Sequence, residues 1–129
     1  TRHKLLILSH SPEIYRQMGK LVAGQLGLET NETYTQYMAL LMKGLRMRTT
    51  TRKHVNVLQH VLGYFKKQLD ADEKQEVLQI IADYRAGLLP LIVPVTLLNH
   101  FVRKYDQPYL RQQVYLNPHP LELQLRNHV

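Results

Sequence analysis

Helix starts and stops punctuate this chain at short intervals, and no segment shows the apolar–polar alternation that a half-buried strand requires. Ser11-Pro12-Glu13 reads as a cap, a preorganised first residue and a first-turn carboxylate, so the spacing predicts a helix from there to about Leu26, stopped at Gly27. Arg2 to Ser9 make a short helix before it. Asn31 caps a third segment carrying Tyr34, Met38, Leu41 and Leu45 at helical spacing and ending near Arg48. Thr49 to Thr51 are a poor helix interior and a good junction, and a fourth helix follows over about Arg52 to Leu69. Asp70, Asp72 and Glu73 load the first turn of a fifth, which closes at Gly87 after Arg85. A sixth runs from Pro90 to about Tyr105, with Pro94 near enough to its start to be tolerated. A short helix through Tyr109 to Gln113 precedes a tail punctuated by Pro118 and Pro120. The expected architecture is all-α, a single compact domain of about six helices over residues 1–129.

The residue types present remove several kinds of chemistry. The chain contains no cysteine, which excludes a disulfide framework, thiolate zinc sites, iron–sulfur ligation and a cysteine nucleophile from these residues. That fits a reducing compartment, and the expected location is the cytoplasm. The longest apolar run, Leu88 to Val95, is broken by Pro90 and Pro94 and is far shorter than the roughly 20 residues of a membrane span. No signal peptide is evident at the first residues. His54 and His60 are too far apart around a helix to share a metal, and neither a His-Glu-x-x-His signature nor a phosphate loop is present. No metal, cofactor or catalytic residue is expected within this chain. Met38, Met42 and Met47 read as core filler. Gly44 and Gly63, each inside a helix, point to the close approach of a neighbouring helix or of a ligand.

Charge is distributed unevenly. From Thr33 to Leu69 there is no Asp or Glu, while Lys43, Arg46, Arg48, Arg52, Lys53, Lys66 and Lys67 together equal the formal net charge of +7. A single-sign run of this kind creates a positive field that suits an extended polyanion, and it also fits dipole compensation and solubility. On a helical wheel of the fourth helix, Val55, Leu58, Val61, Leu62, Phe65 and Leu69 fall on one side. Arg52, Lys53, Asn56, Gln59, His60, Gly63, Lys66 and Lys67 fall on the other, with Tyr64 at the border. That mixture of cations, amides, an imidazole and a phenol can hold phosphates and meet exposed bases, or simply face solvent. His54 projects among the apolar residues and is expected in the core with a hydrogen-bond partner.

The block Lys53-His54-x-Asn56-x-Leu58-Gln59-His60-x-x-Gly63-Tyr64-Phe65-Lys66 resembles the YbgA-like domain family. So do His3-Lys4-Leu5-Leu6, Ser9-His10-Ser11-Pro12, Tyr84-Arg85, Pro90-Leu91 with Pro94, Tyr109-Leu110-x-x-Gln113-x-Tyr115-Leu116 and Pro118-His119-Pro120. That family occurs alone or joined to a cysteine-bearing domain of the thiouracil desulfurase type. The resemblance implies an RNA-binding accessory module, with transfer RNA as partner, that presents a thiolated uridine to such a domain, fused or separate, where the catalysis would reside. On this expectation Arg52, Lys53, Lys66 and Lys67 contact phosphates, Lys43, Arg46 and Arg48 extend the track, Asn56, Gln59 and His60 bond sugar or base edges, and Tyr64 stacks. Two other readings stay open. One is a small enzyme or metabolite-binding domain with a pocket of His60, Tyr64, Tyr84, Arg85 and His100. The other is an assembly module that forms a homodimer through Leu88 to Leu98.

Overall fold

The computed structural model describes residues 2–24 and 31–117, all of it helix, turn and connecting segment with no strand. Among the described residues, seven α-helices run in the order α1 (Lys4–His10), α2 (Pro12–Gly24), α3 (Asn31–Arg46), α4 (Thr51–Gly63), α5 (Ala71–Arg85), α6 (Ile92–Lys104) and α7 (Pro108–Arg111). A 3₁₀ turn at Val114–Leu116 follows α7. The expected Gly27 stop and the Pro118–Pro120 tail lie outside the described residues.

Local chemistry sets the boundaries. Ser11 accepts the N–H of Ile14 at the start of α2, and Thr50 accepts that of Lys53 at the start of α4. Asp70 and Glu73 form a reciprocal capping box at α5, each side chain accepting the other's backbone N–H. At the far end of α5, Leu88 N–H reaches the Asp83 carbonyl and Gly87 N–H that of Tyr84, a closure that places Gly87 at φ 80°. α6 begins at Ile92 rather than Pro90, with Pro94 in its first turn, where a missing N–H costs no helical bond.

α1 is the pivot. α2 and α3 pack against one side of it and α4 against another, while α5, α6 and α7 build outward from α4. The larger core joins Leu5, Leu6 and Leu8 of α1 to Val55, Leu58 and Val61 of α4, with Phe65, Val77, Ile81, Leu91, Val95, Leu98, Phe101, Leu110, Tyr115 and Leu116. A smaller cluster of Ile7, Ile14, Met18 and Leu41 holds the α2–α3 pair. Gly44 lets these helices meet: a Cβ there would stand 3.0 Å from Ile14 Cγ2. The methionine expectation is corrected in part, because Met42 and Met47 are 50% and 40% exposed and only Met38 packs on the smaller cluster.

The end of the described chain returns to its beginning. Gln113, 1% exposed, accepts the Leu5 N–H in the first turn of α1, and Val114 N–H donates to the Arg2 carbonyl. Tyr115 reaches inward to share a 2.7 Å hydrogen bond with Nδ1 of His54, both side chains wholly buried. Asn99 Nδ2 secures the Leu116 carbonyl at 2.6 Å. His54 is thus a core residue, as its place on the wheel indicates.

Candidate nucleic-acid interface

α4 buries His54, Val55, Val57, Leu58 and Val61 and leaves Arg52, Gln59 and His60 exposed, with Lys53 and Asn56 half-buried beside them. The helix ends at Gly63, not near Leu69. Tyr64 and Phe65 continue in tight turns, their N–H groups bonding to the carbonyls of Val61 and Leu62, so Lys66 and Lys67 lie beyond the helix instead of on its polar face. Phe65 still points inward at 0% exposure, because the turns keep nearly the same rotation per residue as the helix.

The cations therefore gather at two places. Lys43, Arg46, Arg48, Arg52 and Lys53 surround the α3–α4 junction, and Lys66 and Lys67 follow the last turn of α4, roughly 18 Å further along at ~1.5 Å of rise per residue. Asn56, Gln59, His60 and Tyr64 occupy the interval. Among the described residues, the ion pairs are Lys104–Glu73 and Arg111–Asp106, so none of these seven cations is neutralised by a carboxylate partner. Lys53 differs from the rest. Its Nζ donates to the Arg48 carbonyl at 2.7 Å, and His10 Nδ1 donates to the Met47 carbonyl at 2.7 Å, so two side chains satisfy the backbone just past the end of α3. Lys43 and Arg46 also sit in the last turn of α3, where they offset its dipole.

Around Tyr64 the structure adds residues that the wheel cannot reveal. The Tyr64 ring stacks on Tyr109 of α7, centroids 5.3 Å apart and planes 20° from parallel. Tyr15 of α2 meets the His60 ring edge-on at 6.2 Å. Burial, followed by the nearby Tyr64 phenol, raises the hydroxyls of both Tyr15 and Tyr109 above the ordinary tyrosine value. Three helices thus bring phenols together at the end of α4. Gln107 Nε2 donates to the Tyr64 carbonyl and to the Gln68 side chain, tying this corner to the α6–α7 turn. No local sequence signal links Tyr15 or Tyr109 to Tyr64.

The alternative pocket does not converge. Tyr84 is buried and, with Arg85, lies at the end of α5 by the first turn of α4, whereas His60 and Tyr64 lie at its last. His100 borders the acids Asp70, Asp72, Glu73 and Glu76 instead. Of the Leu88 to Leu98 segment, Leu91, Pro94, Val95 and Leu98 face the core. That leaves exposed Leu88 and half-buried Leu89, Ile92, Val93 and Leu97, of which Ile92, Val93 and Leu97 line a shallow groove with Ile80 of α5. Among the described residues, no group of three or more His, Asp or Glu side chains could hold a metal ion, and no helix is long and apolar enough to cross a membrane.

Residues 4–120 match a family described as a protein of unknown function, DUF1722. The chain belongs to this family. A relative named "Uncharacterized protein YbgA", from Escherichia coli strain K12, is 34% identical over 128 residues, covering 98% of this chain and 76% of the relative. This bears out the resemblance to the YbgA-like domain. No solved structure matches. The fold now divides the family-like block of this DUF1722 chain by role. His54, Leu58, Phe65, Leu110, Gln113, Tyr115 and Leu116 are buried and build the domain. Gln59, His60, Tyr64 and Lys66 are exposed, with Tyr64 and His60 also in contact with the rings of Tyr109 and Tyr15.

Proposed function

We propose that this domain is an RNA-binding module, with transfer RNA as its partner, that presents a thiolated uridine to a desulfurase-type domain. One observation carries the reading: an acid-free face along α4, with cations at both ends that, among the described residues, no carboxylate neutralises, and a strip of amide, imidazole and phenol groups between them. Phosphates attract such cations without regard to sequence, whereas the strip between them suits base and sugar edges. Because this chain has no cysteine, thiolate-bound iron–sulfur chemistry would belong to the partner domain. The cytoplasm is the matching location.

Salt dependence tests the reading directly. Arg52→Glu with Lys67→Glu reverses one exposed charge at each end of the strip while sparing Lys53, whose ammonium holds the α3–α4 junction. Binding to transfer RNA should weaken, and the slope of log affinity against log salt should flatten by about 1.5, at roughly 0.7–0.9 for each phosphate no longer neutralised. Unchanged affinity and slope, with an intact helical circular-dichroism spectrum, would refute it. Comparing thiolated with unmodified transfer RNA then asks whether the modified base itself is read.

A further inference from the structure

Three glycines within or just after helices have different justifications. Gly87 adopts a positive φ that closes α5, and Gly44 admits Ile14 at contact distance. Gly63 has neither reason. Its backbone is not in the left-handed region, and a Cβ there would meet nothing within 4 Å. Gly19 and Gly24 are open in the same way, so space alone decides nothing. What distinguishes Gly63 is its setting. It lies between exposed His60 and exposed Tyr64, three residues before Lys66, within the acid-free stretch.

Tyr64 is unusually placed for a ring of its size. One face is covered by Tyr109, yet the residue is 44% exposed. Buried Phe65 next to it and the Gln107 bond to its carbonyl fix the backbone that carries the ring. A stacked, anchored phenol has little freedom left to lose when another flat ring is laid on it. Gly63, next to it, adds no side chain to this corner.

We infer that Gly63 and Tyr64, flanked by His60 and Lys66, form a stacking site for one unpaired nucleobase, with Tyr109 as the fixed platform beneath Tyr64. The inference rests on the RNA reading above and adds a stacking contact to a surface otherwise described by charge and hydrogen-bonding groups. A stacked base is worth roughly ten- to a hundred-fold in affinity. Lys66 would meet the adjoining phosphate, and His60 the sugar or base edge.

The probes are a short oligouridylate, whose bases stack weakly on one another, and an abasic oligomer with the same number of phosphates. Tyr64→Leu should lower affinity for the oligouridylate about ten-fold or more, leave the abasic oligomer unaffected and keep the salt slope. Tyr64→Phe, which preserves the ring, should bind like the parent. Gly63→Ala should fold with equal or greater stability and still weaken oligouridylate binding, a combination that a purely structural glycine would not produce. Equal loss on both probes, or no loss on either, overturns the stacking site while the RNA reading stands. Failure of the unaltered protein to bind either probe while it binds transfer RNA overturns the stacking site alone, and failure on transfer RNA as well overturns both. Uridine monophosphate should compete poorly; competition as strong as by the oligomer would make a free nucleotide the ligand and overturn the inference as stated.

Discussion

Gly44→Ala sets helix propensity against packing within a single methyl group. Alanine is favoured over glycine inside a helix by about 1 kcal/mol, and on that account alone the change should stabilise α3. The new carbon, however, would stand 3.0 Å from Ile14 Cγ2 and 3.5 Å from both Ile14 Cβ and Ile7 Cδ1. Carbon atoms pack best at roughly 3.5–4.0 Å, so the shortest approach is about 0.5 Å too close. The neighbours cannot easily yield: Ile7 and Ile14 are 1% and 2% exposed, and branching at Cβ restricts their χ1. Overpacking of this kind costs about 1–3 kcal/mol, so the variant should lose up to about 2 kcal/mol overall. Gly63→Ala, which meets nothing, is the internal control and should gain up to about 1 kcal/mol. Urea denaturation at constant m-value measures both. Ile14→Leu moves the branch from Cβ to Cγ and removes the offending methyl, so in that background Gly44→Ala should cost about 1 kcal/mol less, a coupling read from the double-mutant cycle. Gly44→Ala stabilising the parent as much as Gly63→Ala does, or strict additivity with Ile14→Leu, would refute the packing argument.

Tyr115→Phe removes the hydroxyl bonded to Nδ1 of buried His54 and should cost about 1–3 kcal/mol, measured by chemical denaturation; a change within experimental error would show that the bond is dispensable. Glu73 is held down to about 2 by its bond to Lys104, then by Tyr105 and the Asp70 N–H, against an ordinary value of 4.5. A depressed carboxylate stabilises the fold fully above about pH 4.5 and loses that contribution as pH falls toward 2, so the melting-temperature difference between the parent and Glu73→Gln should shrink across that window. Parallel melting curves for the two proteins from neutral pH to pH 2 would contradict it.

What the sequence discloses follows the range of the interaction. Ser11, Thr50, Asp70 and Gly87 act on N–H or carbonyl groups within five residues of themselves, so their motifs predict helix ends directly. His54 is legible for the same reason, since Val57 and Leu58, three and four residues further on, are apolar. The end of α4 is not. Phe65 and Leu69 continue the apolar period, and tight turns that keep them inward look identical to a helix when only spacing is counted. That continuation puts Lys66 and Lys67 on a face that has already ended. Lys53 is misjudged differently. It reads as a free cation because its acceptor is a main-chain carbonyl, which carries no sequence signature. Tyr109 lies 45 positions beyond Tyr64, and only the docking of α7 against the end of α4 brings the two rings together. Tyr15 and Tyr109 thus join the candidate site through tertiary contact alone.

The return of Gln113 and Tyr115 to α1 and His54 also has a consequence in time. The first helix has its N-terminal turn completed by a side chain synthesised more than a hundred residues later, and the core histidine waits for a partner 61 positions downstream. Helical domains usually fold quickly because their contacts are local, and these closures are the opposite. While the chain emerges from a ribosome, α1 to α6 can form and dock, yet Leu5 keeps an unmet donor and the core remains open at one end until residues 113–116 arrive. Folding should therefore end in a late, sequence-distant closing step, and a chain cut off before Gln113 should persist as a helical but loosely packed intermediate.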